Sequence, residues 1–391
     1  MPIIDEIAAL QDDMTAWRRD IHAHPELGFE ENRTADIVAG KLEEFGLEVH
    51  RGLATTGVVG SLRVGNSQKT IGLRADMDAL PIVEGNTFDY RSRHDGKMHA
   101  CGHDGHTTML LGAARYLSET RNFNGCVHFI FQPAEEGLGG AKTMVEEGLF
   151  EQFPMEAVFG MHNSPGRPVG SFAIRPGPMM AGGAFFDIRI TGNGAHAARP
   201  ESGTDPVVIA AQMTMALQTI VSRNANPIDT VVLSITQIHG GDAYNVIPHT
   251  ANLSGTVRVF RRETMQLVED RMRALTAGIA AGFGATVEVD YREVFLPLVN
   301  AADETEFAAN IAASVVGDEN VNRNRSLIMA SEDFSYMLDA CPGAYINIGN
   351  GDGEDACQVH NPGYDFNDEI LSLGASYWSR LVETRLQKEA L

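Results

Sequence analysis

A chain of 391 residues is too long for one ordinary core and points to two or three domains. Its 43% apolar content suits a soluble globular protein, and 30 Lys and Arg against 52 Asp and Glu leave a formal charge of −22. That field disfavours nucleic acid and anionic membranes as partners, and an anionic substrate would need a local cation to overcome it.

Four scattered cysteines, Cys101, Cys126, Cys341 and Cys357, make no disulfide framework and suit a reducing compartment. Asp5, Glu6, Asp12, Asp13 and Asp20 fill the opening stretch, so neither a secretory signal nor, for want of a long apolar run, a membrane helix is expected. The chain reads as a cytoplasmic protein of enzyme size.

In chain order, the apolar spacing over Ile3 to His22 predicts a helix. It is broken at His22-Ala23-His24-Pro25-Glu26-Leu27-Gly28, read as a Pro-bent turn with surface histidines. A second helix runs from Thr34 to Phe45, closed by Gly46. Val58 to Val64 and Thr70 to Ala75 read as strands, the latter running into Asp76-Met77-Asp78. Alternate carboxylates at a strand end face one side, where one can orient a metal-bound histidine or simply cap the strand.

Met98-His99-Ala100-Cys101-Gly102-His103-Asp104-Gly105-His106 then leads into an apolar helix, Thr107 to Leu117. Thiolate and imidazole both bind transition metals, and a helix N-terminus favours the thiolate. His99 and His106 have structural roles as the alternative. Val127 to Phe131 is an apolar run of strand length, ended by Pro133 and Gly137, with Glu135 and Glu136 left at its C-terminal lip. Neighbouring side chains there point different ways, so one Glu can hold a metal while the other faces a substrate. Ala141 to Glu147 reads as a short helix, and Ala157 to Asn163 as a strand with His162 at its far end.

From Ala181 the order strand (184 to 191), helix (206 to 223), strand (231 to 239), strand (252 to 260), helix (263 to 282), strand (286 to 294) is the split βαββαβ pattern of ferredoxin-like domains. The expected organisation is therefore an α/β catalytic domain with a mixed sheet, formed by 1–180 and 296–391, carrying an inserted α+β domain at 181–295. Within the insert, His196 on a glycine loop, Asn245 on another loop and the isolated cation Arg258 together suit a substrate carboxylate. Beyond it, Glu304 to Val316 is helical, Ser331-Glu332-Asp333-Phe334 begins a capped helix, Ala344 to Ile348 is a strand, His360 lies on a loop, and Glu369 to Glu389 closes the chain as a helix.

Cys101, His103, Glu136, His162 and His360 are five donors, more than one catalytic zinc takes. They suit two ions sharing a bridge, with Cys101 or a water in that position, and Glu135 beside them as general base and acid.

These residues, in this order, resemble the dinuclear metal-dependent amidohydrolases that include hippurate hydrolase, aminoacylases and auxin-conjugate hydrolases. The resemblance covers nearly the whole chain and rests on Arg74 to Pro81, His99 to His106, Gln132-Pro133-Ala134-Glu135-Glu136-Gly137, Gly160-Met161-His162-Asn163, Gly194-Ala195-His196 and Ser331 to Phe334. It implies metal binding by the five donors, Glu135 as proton acceptor, and a homodimer formed through the inserted lid domain, His196 reaching the partner's active site. The related carboxypeptidase branch has His-x-Asp where this chain has Asp76-Met77-Asp78, so that branch's first ligand is absent; His103 compensates, and Asp78 keeps the orienting role.

The implied reaction is hydrolysis of the amide of an N-acyl amino acid, with Arg258 and Asn245 on the substrate carboxylate and His196 on the oxyanion. The implied ions are divalent: manganese or zinc, with cobalt or nickel also open. The rivals are the same chemistry on another amide, such as a short peptide or N-acetyl-diaminopimelate, and a metal-binding protein without catalysis.

Overall fold

The near-continuous apolar runs at 71–75, 126–131, 157–161 and 344–348 are what strands covered on both faces require, and they form the centre of one sheet. In the computed structural model, which describes residues 3–353 and 356–388, the chain divides into two units. The first comprises residues 3–179, 299–326 and the described residues from 333 onward; the second comprises 180–298 with 327–332.

The sheet of the first unit has eight strands, in the order Glu48–Leu53, Gly57–Val64, Gly125–Gln132, Thr70–Asp76, Ala157–Ser164, Gly343–Gly349, Phe172–Ala173 and Val321–Asn322. The four central strands are mutually parallel; Gly57–Val64 joins them antiparallel, so the sheet is mixed. Glu48–Leu53 went unread because it is a mostly exposed edge strand with no apolar run. The helix His103–Thr120 is buried on all sides along most of its length and packs against the helices Gln11–Ala23 and Leu371–Arg385. Leu110, Leu111, Phe129, Phe159 and Trp378 lie in the resulting core, each large side chain contributing roughly 1.5–3 kcal/mol by leaving water.

Several local expectations shift. The first helix is two, Asp5–Ala8 and Gln11–Ala23. The closing helix is Leu371–Arg385, and the expected end at Glu389 lies outside the described residues. The helix expected from Ser331 is Ser335–Ala340, whose N-cap residue Phe334 makes no side-chain cap bond, and the Asp333 carboxylate accepts from Gln132 Nε2 (2.8 Å), Ala141 N (2.9 Å) and Arg74 Nη2 (3.3 Å).

His22 is not a surface residue: it is fully buried, its Nδ1 2.9 Å from Asp104 Oδ2 and its Nε2 3.1 Å from Glu84 Oε1. The helical period places it on the inner face with Met14, Arg18 and Ile21.

The second unit is a four-stranded antiparallel sheet, ordered Val231–Gly240, Thr250–Val259, Gly182–Thr191, Thr286–Phe295, with the helices Pro206–Thr219 and Arg262–Phe283. Alternate residues of the strand Gly182–Thr191, namely Ala184, Phe186, Ile188 and Ile190, join Met213, Leu217 and Met272 in its own core. The βαββαβ order is present as read from the sequence.

Burial alone would pull the His22 imidazole down, but Asp104 and Glu84 outweigh both it and the repulsion from Arg18, and hold His22 at about 9. A folded value above the unfolded one, about 6.5, means stabilisation that is complete below about pH 6.5 and lost as pH rises through 9. The stability gap between wild type and His22→Gln, from denaturant unfolding, is expected to shrink by on the order of 3 kcal/mol between pH 6 and pH 10; a pH-independent gap would refute this.

Candidate metal centre

Parallel pairing brings the chemistry to one edge of the sheet. Asp76 is level with Gln132 on one neighbour, and Arg74 with Gly160 on the other, so His162, two residues on, comes to the same row as Asp76. Beyond Gln132 the chain turns through Ala134, whose φ is 55°, and Gly137 at 81°, which sets Glu135 and Glu136 over that edge. Cys101 and His103 flank Gly102 at the start of the buried helix. Gly102 has φ 101°, and a Cβ there would lie 2.5 Å from Asn163 Oδ1 and 2.7 Å from Tyr364 Oη, so both conformation and space demand glycine.

The five predicted donors converge. One donor atom each from Cys101, His103 and His162 lie within 4.8 Å of one another; so do those of Cys101, Glu136 and His360, and those of His103, Glu135 and Glu136. The three groups share members and form one cluster. Cys101 Sγ is 3.3 Å from His162 Nε2, and Glu136 Oε1 is 3.1 Å from His360 Nε2. Glu136 Oε1 and His103 Nε2 are buried and make no well-aligned hydrogen bond, although Glu136 raises the neighbouring His360 imidazole.

The histidines are orientated for coordination. His103 Nδ1 lies 3.1 Å from Asp78 Oδ1, and His162 Nδ1–H donates to the Asn163 carbonyl at 2.7 Å. Each therefore turns Nε2 into the cluster, the arrangement that metal-bound histidines adopt when their other nitrogen is engaged. Asp78 also accepts from the Glu136 backbone N–H through Oδ2 at 3.0 Å, so one carboxylate orients two predicted ligands.

Electrostatics agree with a cation site. Burial, reinforced by Glu136, Glu135 and Asp76, pushes the Cys101 thiol well above its usual range. The expected help from the helix N-terminus does not prevail, and a thiolate here needs a positive ion beside it. Burial alone would lower His103, yet Asp76 and Asp78 lift it to about 10, so the carboxylates around it favour positive charge at this position. Burial, aided by His106, holds His162 well below its ordinary value, hence neutral and able to coordinate. The donor set, its two unpartnered buried atoms and this excess of acceptors fit divalent ions.

Further groups support the cluster, and of these only Glu31 was not singled out in the sequence. His106 adjoins the cluster, in a further group with Asp76 and His103, and both its nitrogens are engaged: its Nδ1 meets Asp76 Oδ1 at 2.6 Å and its Nε2 accepts from Asn163 N–H at 3.0 Å. Asp76 and Asp78 thus both orient histidines, one each, and their alternation was the available signal. His99 is buried, drawn down to about 4 by that burial, and has no hydrogen-bond partner. Buried Glu31, raised to about 7 by desolvation, accepts from Ala134 N (2.8 Å) and Thr56 Oγ1 (2.6 Å), holding the turn that carries Glu135. Nothing in its local sequence marked it.

His196, Asn245 and Arg258 lie in the second unit. His196 is exposed on the short strand Ala195–His196, paired with Val246–Ile247, and Ala197 N donates to the Asn245 carbonyl at 3.0 Å, so His196 and Asn245 are neighbours. Arg258 is near the opposite end of Thr250–Val259, about eight residues or roughly 26 Å away. It is half-buried, it lies over the Phe185 ring at 5.8 Å, and its bonds go to Thr256 Oγ1 and the Val257 carbonyl. Within one chain, Arg258 and Asn245 are too far apart to hold the same carboxylate.

This fold and this cluster define a metallohydrolase-like α/β protein. The chain belongs to peptidase family M20/M25/M40, whose model matches residues 72–384. It is 44% identical to a hippurate hydrolase of Campylobacter jejuni over 98% of this chain and 99% of that one. It is 40% identical to an IAA-amino acid hydrolase of Arabidopsis thaliana, over 97% of this chain and 86% of the relative. A crystal structure of a dinuclear metal-binding M20 peptidase from Bacillus subtilis superposes with a TM-score of 0.84 at 34% identity, covering 97% of this chain and 99% of that one.

Gly102→Ala is expected to cost at least about 1–3 kcal/mol in denaturant unfolding, because it adds a strained φ and a clash at one position. Metal content after reconstitution should fall with it; unchanged stability would contradict the reading of this turn.

Proposed function

We propose that the chain hydrolyses the amide bond of N-acyl amino acids, releasing a carboxylate and a free amino acid, with two divalent ions held by Cys101, His103, Glu136, His162 and His360. The observation that carries this reading is the placement of Glu135 in the same cluster as the five donors. Bound there, the ions would lower the pKa of a shared water and polarise the acyl oxygen.

The chain's own groups supply the rest. Glu135 is buried, and one oxygen accepts from Asp333 N–H at 3.4 Å, which limits its rotation. It takes the proton of the attacking water and passes it to the departing nitrogen. Asp78 keeps His103 and Glu136 in register, as its two bonds allow. Manganese or zinc suits the mixed sulfur, nitrogen and oxygen donors, with cobalt or nickel as further options.

We further propose a homodimer in which His196 and Asn245 of the partner subunit complete each site, stabilising the oxyanion and, with Arg258, the substrate carboxylate. Two features support it. The helix Pro206–Thr219 exposes Val207, Val208 and Met215, and the edge strand beside it exposes Ile238. The wide separation of Arg258 from Asn245 fits contributions from different chains. The inserted domain then serves as dimerisation element and lid, and the four free cysteines suit the cytoplasm.

Apoprotein reconstituted with defined metals should release amine from hippurate, N-acetyl amino acids or indoleacetyl conjugates, and Glu135→Gln should lose about 10²–10⁴-fold in kcat with metal content unchanged. Near-normal turnover by that variant would reject the assigned base, and cleavage only of short peptides or N-acetyl-diaminopimelate would reassign the substrate. Inactive Glu135→Gln and His196→Ala dimers, mixed and allowed to exchange subunits, should regain activity, since one site of each hybrid is intact; no recovery on verified exchange would exclude sharing of the site.

A further inference from the structure

The segment from Arg18 to Glu31 supplies no donor to the cluster, yet it touches the loops that do. The Glu26 carbonyl accepts from Ala79 N at 2.8 Å, next to Asp78. Glu31 holds Ala134 N, next to Glu135. Gly28 packs so closely that a Cβ would lie 3.0 Å from the Ala134 Cα. Arg18 reaches furthest: fully buried, it places Nη1 2.9 Å from Asp365 Oδ1 and 3.4 Å from Asp104 Oδ2, and Nε 2.7 Å from Asp368 Oδ1. Asp104 directly follows His103 on the buried helix, and Asp365 lies five residues beyond His360 on the loop that carries it.

We propose that Arg18 is a positioning residue for the metal centre, its one guanidinium fixing the separation between the helix start that bears His103 and the loop that bears His360. The inference rests on the metal reading above and adds a residue to it.

Three physical points carry it. First, the carboxylates of Asp104, fully buried, and Asp365, part-exposed, come from segments some 260 residues apart in sequence, and the cation between them offsets the repulsion that would otherwise hold the two segments apart. Second, a planar guanidinium binds two carboxylates in fixed directions, which an ammonium does not; the Tyr90 ring, 4.8 Å from the Arg18 guanidinium carbon, and the Tyr90 hydroxyl, donating to Asp365 Oδ2 at 2.6 Å, hold that plane. Third, buried ion clusters give little net stability over apolar packing of equal volume, so fold stability alone does not account for a fully buried arginine here. A fixed distance between two ligand-bearing segments does.

The test uses full-length apoprotein of wild type, Arg18→Lys and Asp365→Asn, titrated calorimetrically with Mn²⁺ and with Zn²⁺, and melted without metal. Wild type should take two ions. Arg18→Lys should bind at least one of them about 10- to 100-fold more weakly, the range for loss of a group that orients a ligand. Asp365→Asn should shift affinity in the same direction by less, because the Asp104 and Asp368 contacts remain. A purely structural role would lower the melting temperature and leave both affinities unchanged, and that result overturns the proposal. If Arg18→Lys does not fold, Asp365→Asn decides alone, since its carboxylate is 31% exposed; wild-type affinity there is likewise fatal. A wild type that binds no ion overturns the metal reading itself, whereas two ions held equally by all three proteins removes only the role of Arg18.

Discussion

Four carboxylates, Asp76, Asp78, Glu135 and Glu136, meet at one edge of a buried sheet, and their mutual repulsion is the constraint to which the rest of the first unit answers. Arg74 offsets part of it by bonding Asp76 Oδ2 at 2.7 Å and Gln132 at 2.7 Å while reaching Asp333. His106 offsets more by pairing with Asp76. What is left over falls on His103, Cys101 and the unpartnered oxygen of Glu136, where divalent charge is the natural counterweight. That surplus raises the His103 imidazole against its burial and adds to the burial that raises the Cys101 thiol.

Strand order turns that surplus into a site. Parallel neighbours end on the same edge, so side chains from distant parts of the sequence, at Asp76, Gln132 and His162, arrive in one row. This is the general location of ligands in open α/β sheets, beyond the carboxyl ends of the strands. The helix starting at His103 then presents Cys101 and His103 to that row, and its close approach is possible because Gly102 has no side chain. Donors come from short, well-anchored segments, which keeps them near the geometry they need.

The second unit has an independent core. His196 and Asn245 meet at one small two-stranded ladder, while Arg258 lies near the far end of the strand Thr250–Val259. The helix Pro206–Thr219 leaves Val207, Val208 and Met215 exposed, and the proposed dimer would give that face and the distance between Asn245 and Arg258 a common explanation.

By itself the sequence determined most kinds of element, the βαββαβ order of the insert, and a candidate set of donors that the fold brings together, because apolar period and metal-binding side chains are local properties. Cys101, His103, Glu135, Glu136, His162 and His360 were all legible, since each stands at the end of an apolar run or on a glycine-rich turn. Tertiary structure alone decided which groups hold them. That Asp76 serves His106 while Asp78 serves His103, that His22 and Arg18 are buried beneath the donors, and that Asp333 is a buried anion all depend on partners up to several hundred residues distant. No pattern of neighbours encodes such pairings. They follow from strand register and helix docking, and the free energy of a buried charge depends on what those long-range contacts place beside it.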